Sequence, residues 1–338
     1  MTVRALVVGL GSIGRRHAAN LRALLGPELR LAALTRGAAP SLPPAATDDC
    51  DGGVFSDLAD ALATRPDVVV VSNPTSLHVP VVEAAVRSGA AVLVEKPVSD
   101  SLDELGPLLR LVSDRGATVA VGFQHRFHPA LVELAGILAT RGLGRLVAVD
   151  ATEADHLTAY HPYEDYRESY AARRELGGGV VLTQIHELDY LHGMLGMARR
   201  VFAVGGHLSE LSVDVEDTAD ALLEFESDGR PLPVHVHLDF CSRPARRTCS
   251  VRGESGLVEV DLLRPRLTWH GPDGDVVRSR RYEGYARNDM YLAEMRAFLA
   301  AAREGAAVPV DLAHGTDTLR IALALRRSLT TGSVETVA

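Results

Sequence analysis

The chain has 338 residues, 46% of them hydrophobic and 23% charged, with a formal net charge of -9. This is the composition of a folded protein long enough for two domains, without the apolar run of roughly 18 residues that a membrane span needs or the basic excess that nucleic acid favours. Cys50, Cys241 and Cys249 are too few and too scattered for a disulfide scaffold, and the N-terminus runs straight into a strand-like sequence without a cleavable leader, so a cytoplasmic protein is expected.

Residues 3–8 form a short β-branched apolar run suited to a strand buried on both faces. They lead into Gly9-Leu-Gly-Ser-Ile-Gly14 and then a helix-period segment that stops at Gly26-Pro27. Strand before and helix after is the context in which G-x-G-x-x-G binds a dinucleotide. Gly9 permits the tight turn, Gly11 lets the backbone meet a pyrophosphate, Gly14 lets helix and strand pack closely, and Ser12 and Ile13 complete the turn. A glycine-rich turn with no ligand is the plainer alternative. The second strand, 29–34, ends in Thr35 and Arg36. No Asp or Glu stands there to bond a ribose 2'-hydroxyl, whereas Thr35 and the Arg36 guanidinium can donate to a 2'-phosphate, which favours NADP(H) and leaves NAD(H) open.

Residues 40–53 read as loop. A short helix over 57–63, a strand at 67–72, the loop Asn73-Pro-Thr-Ser-Leu-His78, a helix over 79–88 and a strand at 91–95 follow. This alternation predicts right-handed βαβ units and a doubly wound parallel sheet, with ligands gathered at the carboxyl ends of the strands. Asn73, Pro74, His78, Glu95 and Lys96 fall at such ends and are candidate cofactor contacts. Lys96 is placed near the reactive end of a nicotinamide, where it can also hold a substrate oxygen; a surface Lys in a salt bridge is the alternative.

Residues 118–122 read as the last strand of the first domain. Gln124 and Arg126 beyond it are candidate substrate contacts, with an interdomain ion pair an equal alternative for Arg126. His125 and His128 have no third ligand at metal spacing, so capping or solvent roles are expected and no metal site is predicted. A strand at 144–153 precedes the polar stretch 155–175, dense in Tyr, His and Arg. Tyr160 lies in it as a candidate sugar contact, although an exposed polar loop fits equally well.

In Leu176-Gly-Gly-Gly-Val-Val-Leu-Thr-Gln-Ile-His-Glu-Leu-Asp-Tyr190 the glycines allow close backbone approach, and the apolar pattern from Val180 predicts one helix running to Gly193. On that helix Thr183, His186 and Tyr190 share a face, while Val181, Ile185, Leu188 and Leu195 point to a core. His186 is a candidate acid/base and Thr183 a candidate substrate contact; a hydrogen-bonded structural His is the plainer reading. Strand-like runs at 201–207, 217–226, 234–241, 248–252, 256–261 and 267–270, broken by turn signals, predict antiparallel pairing. Leu222, Phe225, Leu238 and Phe240 suggest an exposed apolar sheet face and hence a homodimer or homotetramer, and His235 and His237, alternating on one strand face, are expected at a sheet surface or subunit contact rather than in a metal site. Amphipathic helices over 288–303 and 312–329 are expected to pack back on the N-terminal domain.

Four motifs come in order and at fitting distances: Gly9 to Gly14, Glu95-Lys96-Pro97, Val121-Gly-Phe-Gln-His-Arg-Phe-His-Pro129, and the triple glycine followed by His186-Glu-Leu-Asp189. Together they resemble the glucose-fructose oxidoreductase, inositol dehydrogenase and MocA (Gfo/Idh/MocA) family over nearly the whole chain. The resemblance implies a Rossmann NAD(P)-binding domain at 1–122 and an α/β substrate-binding and oligomerisation domain at 123–338, built on a large, open, mostly antiparallel sheet. It also implies hydride transfer between NAD(P) and a secondary alcohol or ketone of a sugar or cyclitol. By position Lys96 matches the family's EKP lysine and His186 its active-site histidine, with Asp189 three residues on. Many members carry an aspartate four residues before that histidine; here Thr183 stands three before and Gln184 two before, and no carboxylate is available. The expected chemistry has His186 exchanging the hydroxyl proton and Lys96 stabilising the alkoxide. A non-catalytic NADP(H)-binding regulator is the alternative. Metal-dependent hydrolysis fails, because H-E-x-x-H would need a histidine where Tyr190 stands. The expected partner is a small sugar-like molecule, with no nucleic acid and no membrane.

Overall fold

The computed structural model describes residues 2–35 and 50–337, so the expectation for Arg36 lies outside the described residues. The chain forms two compact units, Met1–Gln124 with Asn288–Thr316, and His125–Arg287 with Asp317–Ala338.

The first unit runs β1 (Val3–Val8), α1 (Ser12–Leu25), β2 (Leu29–Leu34), β3 (Gly53–Phe55), α2 (Leu58–Ala63), β4 (Val68–Val71), α3 (His78–Ser88), β5 (Ala91–Glu95), α4 (Leu105–Arg115) and β6 (Val119–Gly122). Its six strands lie in the order β3-β2-β1-β4-β5-β6, with the parallel register the βαβ alternation predicts. The order reverses direction between β1 and β4, which is where such sheets open a crevice for ligands. Strand interiors are apolar and largely buried on both faces, and β4 is valine from Val68 to Val71 throughout. Asp57 starts α2 by accepting from the Ala59 and Asp60 amides. One face of the sheet is closed from far along the chain: Met295, Phe298 and Leu299 join Val7, Leu31, Val70 and Leu93 in a single buried cluster. Burying side chains of that size stabilises by about 1.5–3 kcal/mol each.

The second unit runs α5 (Pro129–Ala139), β7 (Leu146–Ala154), α6 (Val180–Thr183), α7 (His186–Leu195), β8 (Arg200–Gly206), β9 (Thr218–Ser227), β10 (Arg230–Asp239), β11 (Arg246–Gly253), β12 (Gly256–Asp261), β13 (Arg266–His270) and β14 (Val276–Arg281). Helix α8 (Arg287–Glu304) then belongs to the first unit, α9 (Leu312–Thr331) begins in the first and ends in the second, and β15 (Glu335–Thr336) completes the second sheet. The nine strands lie in the order β14-β13-β12-β11-β7-β10-β9-β8-β15, antiparallel except where β10 meets β7.

Three expectations are corrected here. The helix expected from Val180 to Gly193 is two helices, broken at Gln184 and Ile185. Phe225, Leu238 and Phe240 are buried while Leu222 is 54% exposed, because side chains alternate along a strand and Leu222 takes the opposite parity to Phe225. The open face carries Phe202, Val204 and Leu222 instead. Strand β10 starts earlier than its prolines suggest, since Pro231 and Pro233 lie where only β9 pairs with it and β7 does not reach. Strand β14 is exposed along its whole length and shows no apolar alternation. Among the described residues no helix is long and apolar enough to cross a membrane.

Candidate active site

Gly9 has φ +90, and a Cβ there would press on the Ser72 carbonyl and the Asn73 amide. A Cβ on Gly14 would collide with the Gly9 carbonyl. Both glycines are therefore required by the meeting of β1, α1 and β4. Gly11 is different: a Cβ there meets no atom within 4 Å, so its own packing does not require glycine. It is the N-cap of α1 but supplies no side-chain cap, and the first turn of the helix has no acid. Uncapped helix N–H groups beside an open glycine fit the pyrophosphate of a dinucleotide. Ser12 and Ile13 are half-buried on the same turn, as is Thr35 at the end of β2, whose amide donates to the Phe55 carbonyl.

The tips of β4 and β5 are cross-braced. His78 is buried with Nδ1 2.9 Å from the Pro97 carbonyl and Nε2 2.9 Å from the Asn73 carbonyl, so one ring ties both loops together. Burial pushes this imidazole towards its neutral form against the pull of the two carbonyls. Asn73 donates through Nδ2 to the Leu77 carbonyl, and Pro74 caps the short turn that follows. Glu95 lies 2.7 Å from His17 Nε2 on α1 and accepts from the Lys96 amide at 3.2 Å. Burial alone raises this carboxyl, but the His17 bond and the Lys96 charge hold it below the usual carboxylate range. His17 gave no signal in the sequence, because its partner is 78 residues away. Lys96 itself is half-buried at the strand tip. Gln124, buried at the end of the same sheet, donates through Nε2 to the Tyr291 hydroxyl at 3.2 Å.

In the second unit two of the three consecutive glycines are close to the chain itself. A Cβ on Gly178 would strike the carbonyls of Tyr170, Ala171 and Arg173, and one on Gly179 would strike the Glu216 carboxylate. Thr183 ends α6 and His186 begins α7, both buried. The His186 ring packs on that of His125, with centroids 4.5 Å apart at 53°. Both carboxylates in the first turn of α7 are held by arginines. Glu187 binds Arg247 through two 2.8 Å bonds, and Arg247 also reaches Glu153 at 2.7 Å. Asp189 takes a two-pronged bond from Arg126, at 2.7 and 3.0 Å. A side chain at Gly193 would collide with that guanidinium. The fork of Arg126, a candidate substrate contact, is thus engaged by Asp189. His128 caps α5, its Nδ1 accepting from the Ala130 amide, and burial pushes its pKa down to about 4.

Tyr160 is half-buried in the loop after β7, its ring edge-on to Phe240 at 5.9 Å. Its hydroxyl lies 2.8 Å from Gln184 Nε2, which is also 2.9 Å from the Asp239 carbonyl. In the sequence Gln184 stands out only as a non-carboxylate two residues before His186, and nothing local marks a partner 55 residues on.

Residues 3–123 match the model for an oxidoreductase family with an NAD-binding Rossmann fold, and residues 131–259 match the GFO/IDH/MocA C-terminal domain. Myo-inositol dehydrogenase Hyg17 of Streptomyces leeuwenhoekii is 30% identical over 97% of this chain and 98% of its own. Inositol 2-dehydrogenase of Rhizobium meliloti (strain 1021) is 26% identical over 97% of each. A solved levoglucosan dehydrogenase in complex with NADH and levoglucosan shares the fold, with a TM-score of 0.86 over 100% of both chains at 19% identity. The chain belongs to the Gfo/Idh/MocA family of oxidoreductases, with an NAD-binding Rossmann fold in its N-terminal part.

Proposed function

We propose that the protein is an NAD(P)-dependent dehydrogenase or reductase acting on a secondary alcohol or ketone of a sugar, sugar derivative or cyclitol. The observation that carries this is the Gly9–Gly14 turn: two of its glycines answer to packing, while the third leaves open space before an uncapped helix. The inositol dehydrogenases among its relatives support the substrate class. NADP(H) is the preferred cofactor on this reading, because Thr35 follows β2 where an acid would repel a 2'-phosphate.

The cofactor supplies the hydride acceptor or donor. In oxidation His186 takes the proton of the substrate hydroxyl as its C–H bond is cleaved, and in reduction His186 returns it. The Lys96 ammonium holds the oxygen as it gains negative charge. Glu95 is a positioning residue for the strand tip, braced by His17. Arg126 acts through Asp189, keeping α7 and therefore His186 in register, while Gln124, Tyr160 and Thr183 contact the substrate. Residues 1–122 form the cofactor domain, with C-terminal helices packing back on it, and 123–338 the substrate and oligomerisation domain of a homodimer or homotetramer.

The test follows nicotinamide absorbance with NADP and NAD in parallel against free sugars, cyclitols, sugar phosphates and nucleotide sugars, with Lys96→Met as control. A signal that the variant loses supports the reading; wild-type silence with every substrate rejects it.

A further inference from the structure

The hydrogen bonds around Tyr160 have a defined direction. The backbone oxygen of Asp239 can only accept, so the Gln184 atom 2.9 Å from it is the amide nitrogen, and the amide orientation is fixed. That nitrogen carries two hydrogens. One goes to Asp239, and the other points at the Tyr160 hydroxyl at 2.8 Å. Tyr160 therefore accepts from Gln184, and its own O–H hydrogen is directed elsewhere. Among the described residues no acceptor takes it. Burial holds the phenol well above its ordinary pKa, so the hydrogen stays on.

The arrangement is rigid. The Asp155 amide donates to the same Asp239 carbonyl and the Leu157 amide to the Phe240 carbonyl, which staples the Tyr160 loop to the end of β10. The Phe240 ring meets Tyr160 edge-on. Gln184 is also a costly residue for this place: it is buried, and its Oε1 finds no partner among the described residues. Its contribution is the hydrogen it gives to Tyr160, two residues before His186.

We infer that Gln184 is a positioning residue that makes Tyr160 an obligatory hydrogen-bond donor, aimed at an acceptor oxygen of the substrate (a carbonyl, a ring oxygen or a hydroxyl lone pair). This rests on the dehydrogenase reading above and adds to it one polar contact of defined direction. A substrate group that can only donate is refused at this position, whereas a fluorine or an O-methyl group in place of a hydroxyl retains part of the interaction.

The experiment uses the full chain and the best-oxidised compound of a panel containing myo-inositol, D-xylose, D-glucose and UDP-N-acetylglucosamine. Tyr160→Phe, Gln184→Met and the double variant are compared for KM, kcat, thermal midpoint and cofactor binding by NADPH fluorescence. In Tyr160→Phe, KM rises about tenfold, as for one lost hydrogen bond, while kcat, midpoint and cofactor binding stay near wild type. Gln184→Met raises KM similarly, and the double variant is no worse than Tyr160→Phe alone. Across monodeoxy and deoxyfluoro analogues, one position loses binding on deoxygenation in wild type but not in Tyr160→Phe. An unchanged KM in Tyr160→Phe overturns the inference alone, as does a double variant whose effects add. If Gln184→Met does not fold, Tyr160→Phe and the analogue series decide. Wild-type silence on the whole panel removes the dehydrogenase reading and the inference with it.

Discussion

Gly11 and Gly14 are three residues apart, and a methyl group has opposite consequences at the two. Gly14→Ala drives a Cβ into the Gly9 carbonyl and is expected to cost about 3 kcal/mol or more, read as a lowered thermal or denaturant midpoint. Gly11→Ala meets nothing within 4 Å, so it is expected to leave the midpoint unchanged and weaken NADPH binding, measured by fluorescence titration. Equal effects on stability would remove the distinction on which the cofactor site is argued. Lys96→Met and His186→Ala are expected to fold, to bind cofactor and to lose turnover by about two orders of magnitude or more in the absorbance assay. These residues were legible because their signals are local: a glycine spacing, a strand tip, a histidine at a helix start. His17, Gln184 and Arg247 were not, since each is held by a partner 55 to 78 residues away in sequence.

Helix α7 is anchored by charges rather than by a cap. Arg247 sits buried between Glu187 and Glu153, so Arg247→Met leaves two carboxylates without their counter-ion and is expected to cost about 3–5 kcal/mol by denaturant unfolding. On the open face of the second sheet, His237 donates towards Asp220 at 2.7 Å and Asp239 at 2.9 Å. Its bond to Asp239, aided by that to Asp220, raises its pKa above the ordinary 6.5. That contribution is complete below the unfolded-state value and fades as pH rises through the higher folded one. Burial raises the Asp239 carboxyl, but His237, Ser242 and backbone amides outweigh it and hold the pKa at about 2 against an ordinary 3.8, so its contribution disappears as pH falls towards 2. The stability difference between wild type and His237→Gln is therefore expected to be largest near pH 5 and to shrink by about pH 9, followed by thermal midpoints across pH. At this scale the periodicities found five of the six strands of the first sheet, missing the three-residue β3 beside a stretch that reads as loop, and most of the second. They failed at the break in the helix at Gln184, where the apolar pattern continues although the backbone turns, and at β14, whose exposed charged sequence has no periodicity to detect.

The first sheet is not complete when its last strand ends at Gly122. Met295, Phe298 and Leu299 fill its core, Arg16 and Asn20 on α1 bond Asn288, and the Val121 amide donates to the Val310 carbonyl. A fragment of residues 1–124 is expected not to unfold cooperatively, whereas a chain joining it to residues 288–316 is expected to do so, with calorimetry as the check. Phe298→Ala in the whole protein is expected to cost about 3–5 kcal/mol. During synthesis the chain leaves the ribosome from its N-terminus, and domains ordinarily fold in the order they emerge. Here the nucleotide-binding half begins to emerge before the second sheet yet stays unfinished while that sheet is made, because its core waits for residues some 170 positions later. A translation product released before Phe298 would expose an unfilled apolar sheet to chaperones and proteases, so only chains that extend past this helix would be able to bind nicotinamide and escape that surveillance.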